Sequence, residues 1–211
     1  MHFYVPHVLI FVLAGFIFLA SCEQKKNQQI ESPTEKMEQS TDPTAGRILT
    51  TQTGKAFEIL TQSNKDGLID IHILPKGFEH SKDTLIISGT DPLSKAFVAD
   101  LDQNAFDEIY LITTSVGSGS YSQIHGFSSN RDKSVTSIYI PPITEKDLTK
   151  GALYEGYMGH DSIYVDEGQL KRLFPIYLPE DPNCCPSGGQ TTLLYELIAG
   201  EASWKLQAIK Q

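Results

Sequence analysis

From Ala56 to Ile209 the chain is written in short runs of aliphatic, aromatic and β-branched residues, separated by clusters of Gly, Asn, Asp, Ser and Pro. No ten-residue helical period recurs. The runs predict strands over Ala56 to Thr61, Leu68 to Leu74, Asp83 to Ser88, Lys95 to Asp100, Glu108 to Thr114, Ser122 to Ser128 and Ser134 to Ile140. Four more follow, over Ser162 to Val165, Gln169 to Tyr177, Thr191 to Ile198 and Ser203 to Ile209. Turn signals separate them, among them Asn64-Lys65-Asp66-Gly67, Pro75-Lys76-Gly77, Asp166-Glu167-Gly168 and Ala199-Gly200-Glu201. Many short strands at this spacing predict a mainly β fold, an antiparallel twisted sheet or β-sandwich with little helix. One short helix is expected near Thr144 to Lys150, where Thr144 can cap and Glu145 and Asp147 suit the first turn.

Upstream the pattern changes twice. Phe3 to Ala20 is an almost unbroken apolar run ending in Leu19-Ala20-Ser21-Cys22. Small residues before a Cys mark a cleavage site, and the sequence resembles a bacterial lipobox, whose Cys is acylated and becomes the first residue of the mature protein. Cys22 is that residue on this reading. The n-region departs from the pattern, since it holds His2 and His7 but no Lys or Arg. An uncleaved membrane anchor and an ordinary cleaved signal are the competing readings. From Glu23 to Gly46 the residues are mostly Gln, Lys, Glu, Ser, Thr, Asn and Pro, which cannot build a core. The expected organisation is a signal peptide over 1–21, a lipidated Cys and disordered tether over 22–46, and a single β-rich domain over 47–211. Such a tether reaches about 25–30 Å. All three readings of the leader place the domain outside the cytoplasm; the lipobox reading places it in a bacterial cell envelope, lipid-anchored through its N-terminus and facing the periplasm or the surface.

Charge narrows the partners. The formal net charge is −9, and the leader contains no Asp, Glu, Lys or Arg, so the mature chain keeps that value. Nucleic acid needs a basic footprint and is not an expected partner. A basic protein would be drawn to this surface. No Gly-x-Ser-x-Gly elbow, spaced metal-ligand set or phosphate loop occurs, so no enzymatic activity is expected.

The most distinctive stretch is Leu111 to Phe127, in which two β-forming runs flank Gly117-Ser118-Gly119-Ser120-Tyr121. Two glycines permit positive φ and the hydroxyls have no core to fill, so the stretch predicts a hairpin with a protruding polar tip. Glycine and serine are also ordinary hairpin residues, and a Tyr at a strand start often only packs on a neighbour. Ser118-Gly119-Ser120-Tyr121 resembles the Ser-Gly-x-Tyr loop of the bacterial periplasmic inhibitors of I-type (invertebrate) lysozyme, and Ser115-Val116-Gly117 extends the similarity. The resemblance covers about Leu101 to Phe127 and implies a β-rich fold. It also implies that the Ser118 and Tyr121 hydroxyls enter a lysozyme cleft and hydrogen-bond its two catalytic carboxylates. A glycosidase holds two carboxyl groups several ångströms apart across the scissile bond, a gap that two neutral donors can fill without burying a charge. The expected partner is therefore a lysozyme, I-type favoured. The alternative is an envelope lipoprotein with a structural or other ligand-binding role and no lysozyme contact; a homodimer is left open.

Three other segments carry candidate chemistry. Asp100, Asp102 and Asn104, followed by Glu108, alternate like the donors of a calcium loop, and also resemble a turn found before strands in β-propeller repeats. Ala105 stands where a calcium loop has Gly, so an Asx-type turn is favoured, with no metal and no cofactor. In Tyr154-Glu155-Gly156-Tyr157-Met158-Gly159-His160-Asp161, the His-Asp pair lacks a nucleophile and a structural loop is favoured. If it lies beside Tyr121, then Tyr154 and Tyr157 are candidates for the rim of an interface. Cys184 and Cys185 are adjacent in a Pro- and Gly-bounded loop, and outside the cytoplasm they form either a vicinal disulfide or two thiols. Trp204, alone of its kind, is expected in the core.

Overall fold

In the computed structural model, which describes Met1, His2 and residues 46–210, the alternating pattern closes into three antiparallel sheets of four strands. β1 (Arg47–Thr50), β2 (Ala56–Ser63), β3 (Ile69–Lys76) and β4 (Leu85–Thr90) form the first sheet, in that order. β5 (Leu93–Ala99), β6 (Glu108–Thr114), β7 (Ser122–Asn130) and β8 (Ser134–Ser137) form the second. β9 (Ser162–Asp166), β10 (Gln169–Pro175), β11 (Gln190–Ala199) and β12 (Trp204–Lys210) form the third. Every strand pairs with its neighbour in sequence, so each sheet is a meander built from local hairpins. The fold is mainly β, as the pattern predicts. The signal peptide, Cys22 and the tether lie outside the described residues, apart from Met1 and His2.

The second sheet is the middle layer. Ile109, Leu111 and Phe127 on one of its faces pack with Phe57, Ile59, Ile71 and Ile73 of the first sheet. Tyr110, Ile112 and Ile124 on the other face pack with Ile163, Leu170, Tyr195, Leu197 and Leu206 of the third. β6 is therefore buried on both faces, which is why it reads Ile-Tyr-Leu-Ile-Thr without alternation. Its outer neighbours alternate because one face of each meets water, as in Ala56–Ser63 and Gln169–Pro175. Each fully buried Ile, Leu or Phe contributes about 1.5–3 kcal/mol, and β6 with its contacts collects more of them than any edge strand can.

Departures from the expected elements are local. β1 was not expected: four residues are too few to show a period, and pairing with β2 is what orders them. β4 starts two residues late because the chain before it crosses to the second sheet, where Ser81 accepts the Val135 N–H at 2.8 Å. The expected helix shrinks to a single 3₁₀ turn, Glu145–Leu148. Asp147 there accepts both the N–H and the hydroxyl of Thr144, and the hydroxyl bond first and the N–H bond second hold its carboxyl below the usual range. Trp204 is half-buried at the margin of the second core cluster rather than inside it.

A polar chain also crosses the first two sheets. The Thr90 hydroxyl donates to Thr113, whose own hydrogen is then free for His125 Nε2 at 3.2 Å. That arrangement needs an unprotonated Nε2, and burial lowers the His125 pKa in the same sense. The unfolded chain takes up this proton near pH 6.5 while the folded domain resists it, so stability should fall as pH drops below about 6.5. Comparing melting temperatures at about pH 7.5 and about pH 5.5, His125→Gln is expected to show the smaller difference; an undiminished difference would remove His125 as the cause.

Candidate functional site

The hairpin of β6 and β7 ends in a loop from Ser115 to Tyr121 that is tied at its base and open at its tip. Thr114 pairs with Ser122 across the strands, the Ser115 N–H donates to the Tyr121 carbonyl, and the Tyr121 N–H donates to Ser115 Oγ, both at 2.9 Å. A turn follows, with the Ser120 N–H donating to the Gly117 carbonyl at 3.1 Å. The positive φ expected of Gly117 and Gly119 falls instead on Ser120, at 43°. Gly119 is needed for a different reason: a Cβ there would overlap the Tyr121 ring folded against it.

Two further loops hold this one from the side. The His160 N–H donates to the Gly119 carbonyl at 2.7 Å, and Asn183 Nδ2 reaches the Ser118 carbonyl at 3.5 Å. Gly159 lies so close to the Gly119 carbonyl that a side chain there has no room, and its φ of +85° suits glycine. The side chain of Ser118 is exposed and Tyr121 retains 45% of its surface. Neither hydroxyl hydrogen-bonds to a described residue, while the Tyr121 ring meets Tyr157 edge-on at 5.7 Å.

Below the tip lies a buried charge network that residue-by-residue reading missed. Arg172 on β10 and Asp161 pair at 3.4 Å with side chains 4% and 0% exposed. Asp161 also accepts the Ser122 N–H at 3.1 Å and the Tyr157 hydroxyl at 3.2 Å, while Arg172 Nη2 donates to the Ser122 carbonyl at 3.3 Å. The guanidinium faces the rings of Tyr154, Tyr157 and Tyr195 at 5.8–5.9 Å. Burial raises the phenol pKa of both Tyr157 and Tyr195, more than Arg172 lowers it, so both remain neutral. The network clamps Ser122, the first residue after the tip, to the third sheet. Its signal in the sequence was Arg172 itself, a charge at the inward phase between Leu170 and Phe174.

Tyr157 does lie beside Tyr121, with Tyr154 packed on Tyr157, yet the two are not an interface rim. They are 6% and 8% exposed, and with Phe174 and Leu193 they make a core cluster of their own. Aromatic bulk between two glycine-containing turns is what covers the end of the third sheet, so contact surface was the wrong use for them. The adjacent His160 and Asp161 go to opposite environments, His160 exposed beside Tyr177 and Asp161 buried on Arg172, so they form no catalytic pair. Cys184 and Cys185 are joined as a vicinal disulfide, in an exposed loop that also supplies Asn183. Asp181 ties that loop by accepting from the hydroxyl and N–H of Ser187 and the N–H of Leu178; those bonds lower its pKa.

At the other end of β6 the acidic loop shows the expected Asx-type turns. Asp102 and Asn104 each accept the N–H two residues on, at 3.2 and 2.7 Å, and Asp100 accepts from the N–H groups of Asn104 and Ala105. Glu108 is fully buried, and that desolvation above all, with Asp102, Asp100 and Asp107 adding to it, pushes its carboxyl up to about 8 despite the Leu101 N–H it accepts. Comparison of the chain with family models, with curated proteins and with solved structures returned no match.

Proposed function

We propose that this chain is a cell-envelope lipoprotein that binds and inhibits a lysozyme, I-type favoured, by placing Gly117, Ser118, Gly119, Ser120 and Tyr121 between the enzyme's catalytic carboxylates. The observation that carries the reading is the pairing of two exposed hydroxyls, on Ser118 and Tyr121, neither bonded to a described residue, with a loop tied at its base and flank. A donor held in place before binding loses little conformational freedom on binding, and freedom lost there weakens affinity. The tip carries no charge of its own, so filling an acidic cleft leaves no unpaired ion. The formal charge of −9 favours encounter with a basic enzyme.

The competing role for Tyr121 is to seal the loop, and it draws on the ring's contact with Gly119 and Tyr157. Removing only the hydroxyl separates the two. With protein from about Arg47, inhibition of cell-wall lysis is to be titrated against I-type, C-type and goose-type enzymes. Ser118→Ala and Tyr121→Phe should each weaken it about 10- to 150-fold, the range for a hydrogen bond to a charged group. Full lysis by every enzyme at micromolar excess of the unaltered protein would end the proposal, and undiminished inhibition by the double variant would end the role of these hydroxyls.

A further inference from the structure

One oxygen from each of Asp100, Asp102 and Glu108 lies within 4.8 Å of the other two. Oxygens bound to one calcium ion at about 2.3–2.6 Å stand no more than about 5 Å apart, so these three are close enough together to share one ion. Their N–H partners do not exhaust them, since each carboxylate oxygen has a second lone pair. Two further observations point to a ligand. Glu108 is 0% exposed and its Oε1 has no hydrogen-bond partner among the described residues. The hydroxyl of Tyr110, the next residue on the same face of β6, is equally buried and has no hydrogen-bond partner among the described residues. Buried polar atoms are seldom left so.

We propose that the Asp100–Glu108 loop is a calcium site, with Asp100, Asp102 and Glu108 as carboxylate ligands. The objection from Ala105 is met in the structure, because Ala105 adopts the left-handed bend that glycine would supply, at φ 70°. An all-oxygen donor set selects a hard cation. Calcium accepts irregular coordination from several protein oxygens, whereas magnesium demands a near-ideal octahedron and keeps its waters. An affinity of about 0.1–1 mM, that of extracellular calcium modules, is expected. This site is at the opposite end of β6 from the tip and is independent of the lysozyme reading.

The test uses the full chain in mild detergent, stripped with chelator and then desalted. Equilibrium binding of radioactive calcium should reach one ion per chain, and about 10 mM calcium chloride should raise the melting temperature by about 3–10 °C. Magnesium chloride at the same concentration should not. Glu108→Gln and Asp102→Asn should each abolish uptake and shift together; Asp102 is only half-buried, so its variant serves should Glu108→Gln fail to fold. No uptake by the unaltered chain, uptake unchanged in Asp102→Asn, or an equal effect of magnesium would overturn the assignment.

Discussion

Asp161→Ala is expected to cost the domain about 3–5 kcal/mol, because it leaves the Arg172 guanidinium buried without a counter-charge. The pair is 4% and 0% exposed, so solvent offers neither partner a substitute. Arginine does not escape by losing its proton, and the three tyrosine rings around it attract a cation without neutralising it. The same substitution removes the acceptor of the Ser122 N–H and of the Tyr157 hydroxyl. Urea denaturation measures the cost, with the slope m unchanged if the unfolded state is unaffected. Adding Arg172→Met to Asp161→Ala should recover part of it, since an apolar side chain is tolerated where a lone charge is not. A single-variant cost below about 1 kcal/mol would mean that water reaches the pair.

Gly159→Ala is expected to act on the tip rather than on the core. Its new Cβ would overlap the Gly119 carbonyl oxygen, and the φ of +85° disfavours any side chain. The two effects together amount to about 2–5 kcal/mol, relieved most readily by letting the tip swing away from His160. The His160 N–H, now bonded to Gly119 at 2.7 Å, should then exchange with solvent roughly 30- to 5,000-fold faster, while amides of β6 keep their protection. Under the proposed function the inhibition constant should rise as the tip loses its preorganisation. Unaltered exchange at His160 would show that the loop is not clamped there.

Most of the fold is legible because hairpin meanders are local. Glu108–Thr114 is predicted to the residue, since a continuous apolar run between an acidic turn and a Gly-Ser loop has one reading. The ends of Gln169–Pro175 and Gln190–Ala199 move by a residue or two because pairing, not composition, sets where a ladder stops. The candidate tip is legible as a loop from Gly117 to Tyr121, and so is the alternation of oxygen donors from Asp100 to Glu108. Burial is not. Tyr154 and Tyr157 have the composition of an interface, and only the third sheet's need for a cover at its end makes them core. The glycines of the tip read as backbone freedom, yet Gly119 is required by the closeness of the Tyr121 ring, and Gly159, in another loop, by the closeness of the Gly119 carbonyl as well as by its own positive φ.

Short-range pattern alone thus determined every strand but β1, the antiparallel class, the site of the tip and the order of donors in the acidic loop. Each follows from side-chain period and turn chemistry within about ten residues. Tertiary structure decided which sheet lies between the other two, that Arg172 and Asp161 meet beneath Ser122, and that Glu108 and Tyr110 are enclosed together. Those outcomes depend on residues far apart in the chain meeting where water is excluded, and desolvation is a property of the assembled layers that no single segment carries.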